Sequence, residues 1–354
     1  MNKRFWSSRI QNLVPYTPGE QPKDRVFVKL NTNENPYPPS PKVFQAIQNA
    51  VDDRLRLYPD PESTALRTAI AQYHGLTPEQ VFCGNGSDEV LGLCFYAFFS
   101  PDKKVIFPDI TYSFYPVYTE LFHLNYEEIP LNDDFSLPVE RFLGENGGAV
   151  ICNPNAPTGK ALPLSAIRQI LDANPDVVVM VDEAYADFGA QSAVSLINEY
   201  PNLVTVHTLS KSRSLAGMRI GYALGNPDLI AAISCVKNSF NSYPIDRLAM
   251  VAGEAAMQDV PYFEDTCSKV IATRDRTTHT LREMGFLVHD SNANFIFISH
   301  PEKSGEELQL ALRERGILVR WFNKPRIREY LRVSIGTDQE MEAMCSACKE
   351  ILQR

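Results

Sequence analysis

The sequence predicts an α/β protein: a mainly parallel sheet covered by helices, joined to a smaller α+β unit. Two observations predict it. Through the middle of the chain, short apolar runs alternate with amphipathic stretches, the strand–helix–strand order that wraps both faces of a sheet. After about Gly285 the pattern changes to closely spaced apolar segments around one helical stretch, ending in a second, closing helix.

Taken in order, residues 104–107, 148–152, 177–181, 203–208 and 220–224 read as buried strands. Each is short and largely apolar, as expected of strands with both faces covered. Residues 164–173 and 227–237 carry the helical spacing between them. In such a sheet, ligands sit beyond the carboxyl ends of the strands, so chemistry is expected there. The second unit reads as a strand at 294–299, a helix at 305–315, strands at 317–322 and 330–335, and a closing helix. The first 35 residues are rich in Pro and Asn with little periodicity, and predict an arm packed on the small unit or on a partner. The expected division is an arm at 1–35, a large domain at 36–275 and a small C-terminal domain at 276–354.

The 354 residues, 44% of them hydrophobic, suffice for a substantial core. Lysine and arginine total 34 against 43 acidic residues, a net charge of −9 that is scattered and not gathered in runs. That balance argues against nucleic acid as a partner. The N-terminus has positive charge without an apolar stretch behind it, and no segment is long enough to span a bilayer, so a cytoplasmic protein is expected. Seven cysteines without an export signal point to reduced thiols. Cys345 and Cys348 form a lone C-x-x-C inside a helical pattern with no second ligand pair, and the six histidines show no ligand spacing, so no metal is expected.

Four motifs fall at the predicted strand ends. Residues 208–222, TLSKSRSLAGMRIGY, place Lys211 and Arg219 around a Ser-rich, Gly-containing loop. Hydroxyls, amides and a guanidinium suit a phosphate dianion, and a lysine beside them suits Schiff-base chemistry with an aldehyde. A Ser-Lys pair alone would be a solvated basic loop. Residues 177–185, VVVMVDEAY, end a β-branched strand in Asp182. A carboxylate there is poorly solvated and needs a cationic partner, such as a protonated pyridine nitrogen; capping the next segment is the plainer alternative. Tyr185 follows within reach of the same ring. Residues 153–159, NPNAPTG, are by themselves a tight loop, but beside the other elements they offer the Asn155 amide as a donor to a phenolic oxygen. Residues 83–89, CGNGSDE, lead into a helical run, where exposed amides and the helix dipole attract phosphate, unless Ser87 and Asp88 serve only as caps.

This ordered set resembles the fold type I pyridoxal-phosphate enzymes, the aspartate aminotransferase superfamily, over nearly the whole chain. The resemblance implies a seven-stranded, mainly parallel sheet, pyridoxal 5'-phosphate on Lys211, a ring nitrogen held by Asp182, and Tyr185 and Asn155 at its phenolic oxygen. Tyr112 would stack on the ring. Ser87, Asp88, Thr208, Ser210 and Arg219 would complete the cofactor site. Ala156 stands where many relatives have a second asparagine, which leaves Asn155 to supply the amide.

Within the superfamily the chain is most similar to the histidinol-phosphate aminotransferase family, on residues 30–36 (LNTNENP), 57–61 (LYPDP) and 331–337 (LRVSIGT). That resemblance implies a homodimer in which Tyr58 reaches the neighbour's cofactor phosphate. It also implies a substrate site drawn from Tyr16, Asn33, Asn241, Tyr243, Arg320 and Arg332. Two guanidiniums can bind the phosphate of histidinol phosphate and, in the second half-reaction, the carboxylates of glutamate. Arg326 and Arg328, between them in sequence, read as surface charges. The implied reaction is amino transfer from histidinol phosphate to 2-oxoglutarate, with Lys211 as general base. An aromatic amino-acid aminotransferase and a threonine-phosphate decarboxylase of the same fold remain open at this point, as does a binding protein that keeps the fold without the chemistry.

Overall fold

The computed structural model describes residues 3–22 and 25–353. Of the N-terminal arm, residues 1, 2, 23 and 24 lie outside the described residues. In chain order the elements are β1 (Val28–Leu30), α1 (Pro41–Ala50), α2 (Thr64–His74), β2 (Val81–Gly84), α3 (Gly86–Phe98), β3 (Val105–Pro108), α4 (Tyr115–Phe122), β4 (Tyr126–Ile129), β5 (Ala149–Cys152), α5 (Leu164–Ala173) and β6 (Val179–Asp182). They continue with β7 (Leu203–Thr208), β8 (Gly221–Gly225), α6 (Pro227–Phe240), α7 (Arg247–Gln258), α8 (Val260–Glu283), β9 (Leu287–Val288), β10 (Phe295–Ser299), α9 (Gly305–Glu314), β11 (Ile317–Trp321), β12 (Leu331–Ser334) and α10 (Asp338–Leu352).

The larger sheet has seven strands in the order β2-β8-β7-β6-β5-β3-β4. Only β8 opposes the common direction, pairing antiparallel with both β2 and β7. Its inner strands are buried on both faces, and successive side chains enter opposite cores: Val179 and Val181 pack with α5 and its neighbours on one side, Met180 with α3 and α4 on the other. Because β5, β6 and β7 run parallel, Cys152, Asp182 and Thr208 arrive at the same edge, with Cys152 registered against Asp182.

The smaller sheet has the order β1-β11-β12-β10-β9. Its helices start firmly: Ser304 and Glu307 form a reciprocal capping box on α9, as do Thr337 and Glu340 on α10. Cys345 and Cys348 lie on α10. β1 from the N-terminal segment pairs parallel with β11, so the start of the chain is stitched to its last quarter. α8 runs unbroken through position 276, so the chain passes from one sheet to the other along a helix and without a linker. Two strands of the large sheet, β2 and β4, lie where the sequence suggested none. β4 is the polar edge strand Tyr-Glu-Glu-Ile, which carries no apolar run. Among the described residues, no helix is long and apolar enough to cross a membrane.

Candidate active site

A cavity of about 530 Å³ opens at the carboxyl edge of the large sheet, between it, the smaller sheet and the N-terminal segment. Its floor is built by strand ends. β6 delivers Asp182 and, through the following turn, Tyr185; β7 delivers Thr208, Ser210 and Lys211. At one end, α3 begins against β8 with no side chain between them. A Cβ on Gly221 would overlap the backbone nitrogen of Ser87, and one on Gly86, whose φ is +82°, would fall 2.5 Å from an Arg219 guanidinium nitrogen. The helix start therefore faces the cavity with Ser87, Asp88 and Arg219 around it, a cradle for an anion.

Lys211 projects its Nζ to the Thr32 carbonyl at 3.1 Å and lies 5.9 Å from the centre of the Tyr185 ring. Burial first, and then the Arg332 charge, lowers its amine to about 8, while Glu34 and Asp88 pull the other way. A lysine so placed has a substantial neutral fraction near neutrality, which nucleophilic attack on an aldehyde requires.

Asp182 is 3% exposed and accepts hydrogen bonds from the Tyr115 hydroxyl at 2.8 Å and the Ala184 amide at 3.2 Å. Burial dominates these bonds and pushes its carboxyl up to about 6. Among the described residues no cationic side chain pairs with it. A buried carboxylate in this state fits a protonated ring nitrogen. Tyr112 donates to Asp88 at 2.7 Å, and Arg219 lies 3.4 Å from the other oxygen of that carboxylate.

The opposite wall carries Arg320 and Arg332. Arg332 donates to the Asn31 carbonyl at 2.9 Å, its Nε is buried without a partner, and its guanidinium lies within 6 Å of the centres of the Phe295 and Phe322 rings. Arg320 donates to the Thr17 and Pro18 carbonyls at 3.2 and 3.4 Å. Among the described residues neither guanidinium pairs with a carboxylate, leaving two fixed positive charges on the cavity wall. Tyr16 closes this side, stacked on Phe114 at 4.5 Å.

Five of the expected site residues lie elsewhere within the chain. Asn155 is turned away: its amide donates to the Ile110 carbonyl and the Thr158 hydroxyl, and its oxygen accepts from Thr111, so the amide expected at a phenolic oxygen is already spent. Asn33 stands behind Tyr185 and not on the cavity wall, because its amide donates to the Tyr185 hydroxyl at 3.1 Å. Tyr58 and Tyr243 stack on each other at 4.7 Å in a separate surface depression, which shares Arg219 with the cavity. Asn241 is exposed and accepts from the Tyr243 amide in a local turn. Arg326, read as a surface charge, is exposed and also binds Asp109 at 2.9 Å and the carbonyls of Leu131 and Asn132, tying the two sheets together.

Sequence reasoning missed Glu34, Thr32 and Cys152, all on the cavity wall, and Tyr115, which holds Asp182 from within the core. For Glu34 and Thr32 the signal was the 30–36 segment, which was read for the family resemblance and for Asn33 alone among its side chains. Nothing in the sequence marked Tyr115.

Residues 25–348 match the model of the aminotransferase class I and II family, and the chain belongs to that family. It is 57% identical, across 98% of its length and 99% of the relative's, to a histidinol-phosphate aminotransferase of Marinomonas sp.. The identity to one from Clostridium acetobutylicum is also 57%, over 99% of both chains. Its fold superposes on the crystal structure of a histidinol-phosphate aminotransferase from Sinorhizobium meliloti in complex with pyridoxal-5'-phosphate, with a TM-score of 0.83 at 24% identity, covering 93% of this chain and 92% of that one.

Proposed function

We propose that this chain transfers the amino group of histidinol phosphate to 2-oxoglutarate, with pyridoxal 5'-phosphate as cofactor, giving imidazole acetol phosphate and glutamate. The observation that carries the reading is Arg332, a half-buried guanidinium whose buried Nε has no partner and which pairs with no carboxylate among the described residues, in the same cavity as the low-pKa amine of Lys211. A phosphate-bearing donor satisfies it with bidentate, charge-assisted hydrogen bonds. The 57% identity to relatives bearing that activity supports the same substrate.

The residues fit the cofactor: an anion cradle at Ser87, Ser210 and Arg219, a buried carboxylate without a cation at Asp182, an aromatic wall at Tyr112 and an amine at Lys211. The cofactor supplies a carbonyl carbon that takes up the donor's amine and a ring that withdraws electrons. Asp182 holds a proton at the ring nitrogen. Lys211 Nζ would take the proton from the donor's α-carbon and return it to the carbon on the other side of the transferred nitrogen, a task suited to an amine near 8. Arg320 and Arg332 fix the donor's phosphate and then the acceptor's carboxylates, while Tyr16 and Phe114 shield the site from water.

In the same reading residues 36–275 hold the cofactor, and residues 276–354 with the 1–35 arm close over the substrate. The protein works as a cytoplasmic homodimer in which Tyr58, 83% exposed beside the exposed Leu55 and Leu57, serves the partner's phosphate cradle. Asn241 and Tyr243, on the same surface, belong to that junction.

A single-turnover screen tests the substrate. Cofactor-loaded protein is mixed separately with histidinol phosphate, phenylalanine, tyrosine and threonine phosphate, and the visible absorbance is followed. Histidinol phosphate reacts fastest; faster conversion of any other donor, or carbon dioxide release from threonine phosphate, refutes the assignment.

A further inference from the structure

Tyr185 is 8% exposed, and its hydroxyl is met from behind by the side-chain amide of Asn33. Asn33 is itself held on every side. Its backbone N–H donates to the Ser334 hydroxyl at 2.8 Å, that hydroxyl donates back to the Asn33 side-chain oxygen at 2.8 Å, and the Asn294 amide donates to its carbonyl at 3.0 Å. These contacts fix which end of the amide faces Tyr185. Ser334 is 2% exposed, and the Asn33 oxygen is the acceptor its hydroxyl proton has among the described residues. Turning the amide over would strand that proton, so the Asn33 NH₂ points at Tyr185. A phenol oxygen that accepts there has its own proton directed elsewhere, towards the cavity.

We propose that Asn33 is a positioning residue that aims the Tyr185 hydroxyl proton into the cavity, making Tyr185 a committed hydrogen-bond donor to the phenolic oxygen of the bound cofactor. The inference rests on the pyridoxal-phosphate reading above. It assigns to Asn33 a role different from substrate contact, and it raises the weight on Tyr185, because Asn155 is turned away and position 156 is an alanine without an amide. The orienting groups come from the smaller sheet, Ser334 on β12 and Asn294 just before β10, so that sheet sets the polarity of a contact in the larger one.

The test is a pH titration of the visible absorbance of lysine-bound cofactor. A donor at the phenolic oxygen stabilises its anionic form and loosens its hold on the neighbouring proton, so losing the donor moves the midpoint upward. In Asn33→Asp the carboxylate accepts the Tyr185 proton and draws it from the cavity; the expected shift is upward by about one to two pH units. Asn33→Gly tolerates the native φ of +57° and removes the amide without strain, so it keeps the test alive should the aspartate variant fold poorly. Its shift is smaller, in the same direction. The Asn33→Gly shift vanishes when Tyr185→Phe is already present, and the Asn33→Asp shift falls to the smaller through-space effect of its added charge. A shift of equal size in the Tyr185→Phe background, or no shift with Tyr185 intact, overturns the proposal. Failure of the unsubstituted protein to show any titrating visible band overturns the underlying cofactor reading instead, so the two failures are distinguishable.

Discussion

Burial and the Arg332 charge hold the Lys211 amine at about 8, and this sets a pH dependence that an ordinary lysine would not show. In cofactor-free protein the rate at which pyridoxal phosphate is captured rises with pH and levels off just above 8; a rise continuing towards 10.5 contradicts the shifted amine. Arg332→Lys keeps the charge but loses the planar fork. Its KM for histidinol phosphate is expected to rise by about tenfold to a hundredfold, the worth of one hydrogen bond to a charged group, while turnover of phenylalanine by the same variant changes less; equal loss on both donors would deny Arg332 its phosphate. That Lys211, Asp182, Arg219 and Arg332 share one cavity was legible because each sits in or beside a strand of recognisable pattern or in a dense motif. The hydrogen-bond partners of Asn155 and Asn33 were not legible, because an amide's direction is set by groups distant in sequence: Ile110 for one, Tyr185 and Ser334 for the other.

β6 ends in Asp182, and the acid that follows it, Glu183, is treated differently by the fold. Asp182 turns to the cavity, while Glu183 enters the core, where it accepts from Ser192 and from the Ala193 amide and lies 3.6 Å from His207. Burial pushes the Glu183 carboxyl up to about 8, from 4.5 for the ordinary side chain. The folded chain therefore keeps this proton in a window where an unfolded chain has released it, and stability drains away as pH rises from about 4.5 through 8, at up to about 1.4 kcal/mol per pH unit. Glu183→Gln is expected to flatten that slope in urea unfolding curves recorded from pH 5 to 8, and an unchanged slope would place the ionised form in the core. The strands at 148–152, 177–181 and 203–208 were legible because double-sided burial writes continuous apolar runs. α8 was not, since its inward face includes Thr266, Thr273, Arg274 and Thr277, which blur a helical hydrophobic stripe.

The active cavity belongs to no single element: the large sheet gives the amine and the acid, the small sheet gives the two arginines, and the N-terminal segment covers them with Tyr16. This assembly was legible only as a list of residues, because the sequence does not say that β1 pairs with β11 or that Arg326 clamps Asp109. Tyr58 extends the logic to two copies. If it serves the neighbouring site, Tyr58→Ala and Lys211→Ala are each defective, yet mixing and re-associating them regenerates hybrid dimers with one intact site, roughly a quarter of all sites in an equal mixture. Activity no greater than the mean of the two parents would keep Tyr58 within its own chain. The chemistry of the whole cavity depends on which amine holds the cofactor. Borohydride reduction of the cofactor-loaded protein followed by peptide mapping reads this directly: a stable adduct is expected at Lys211 and at no other lysine, and an adduct elsewhere, or none, would contradict the site described here.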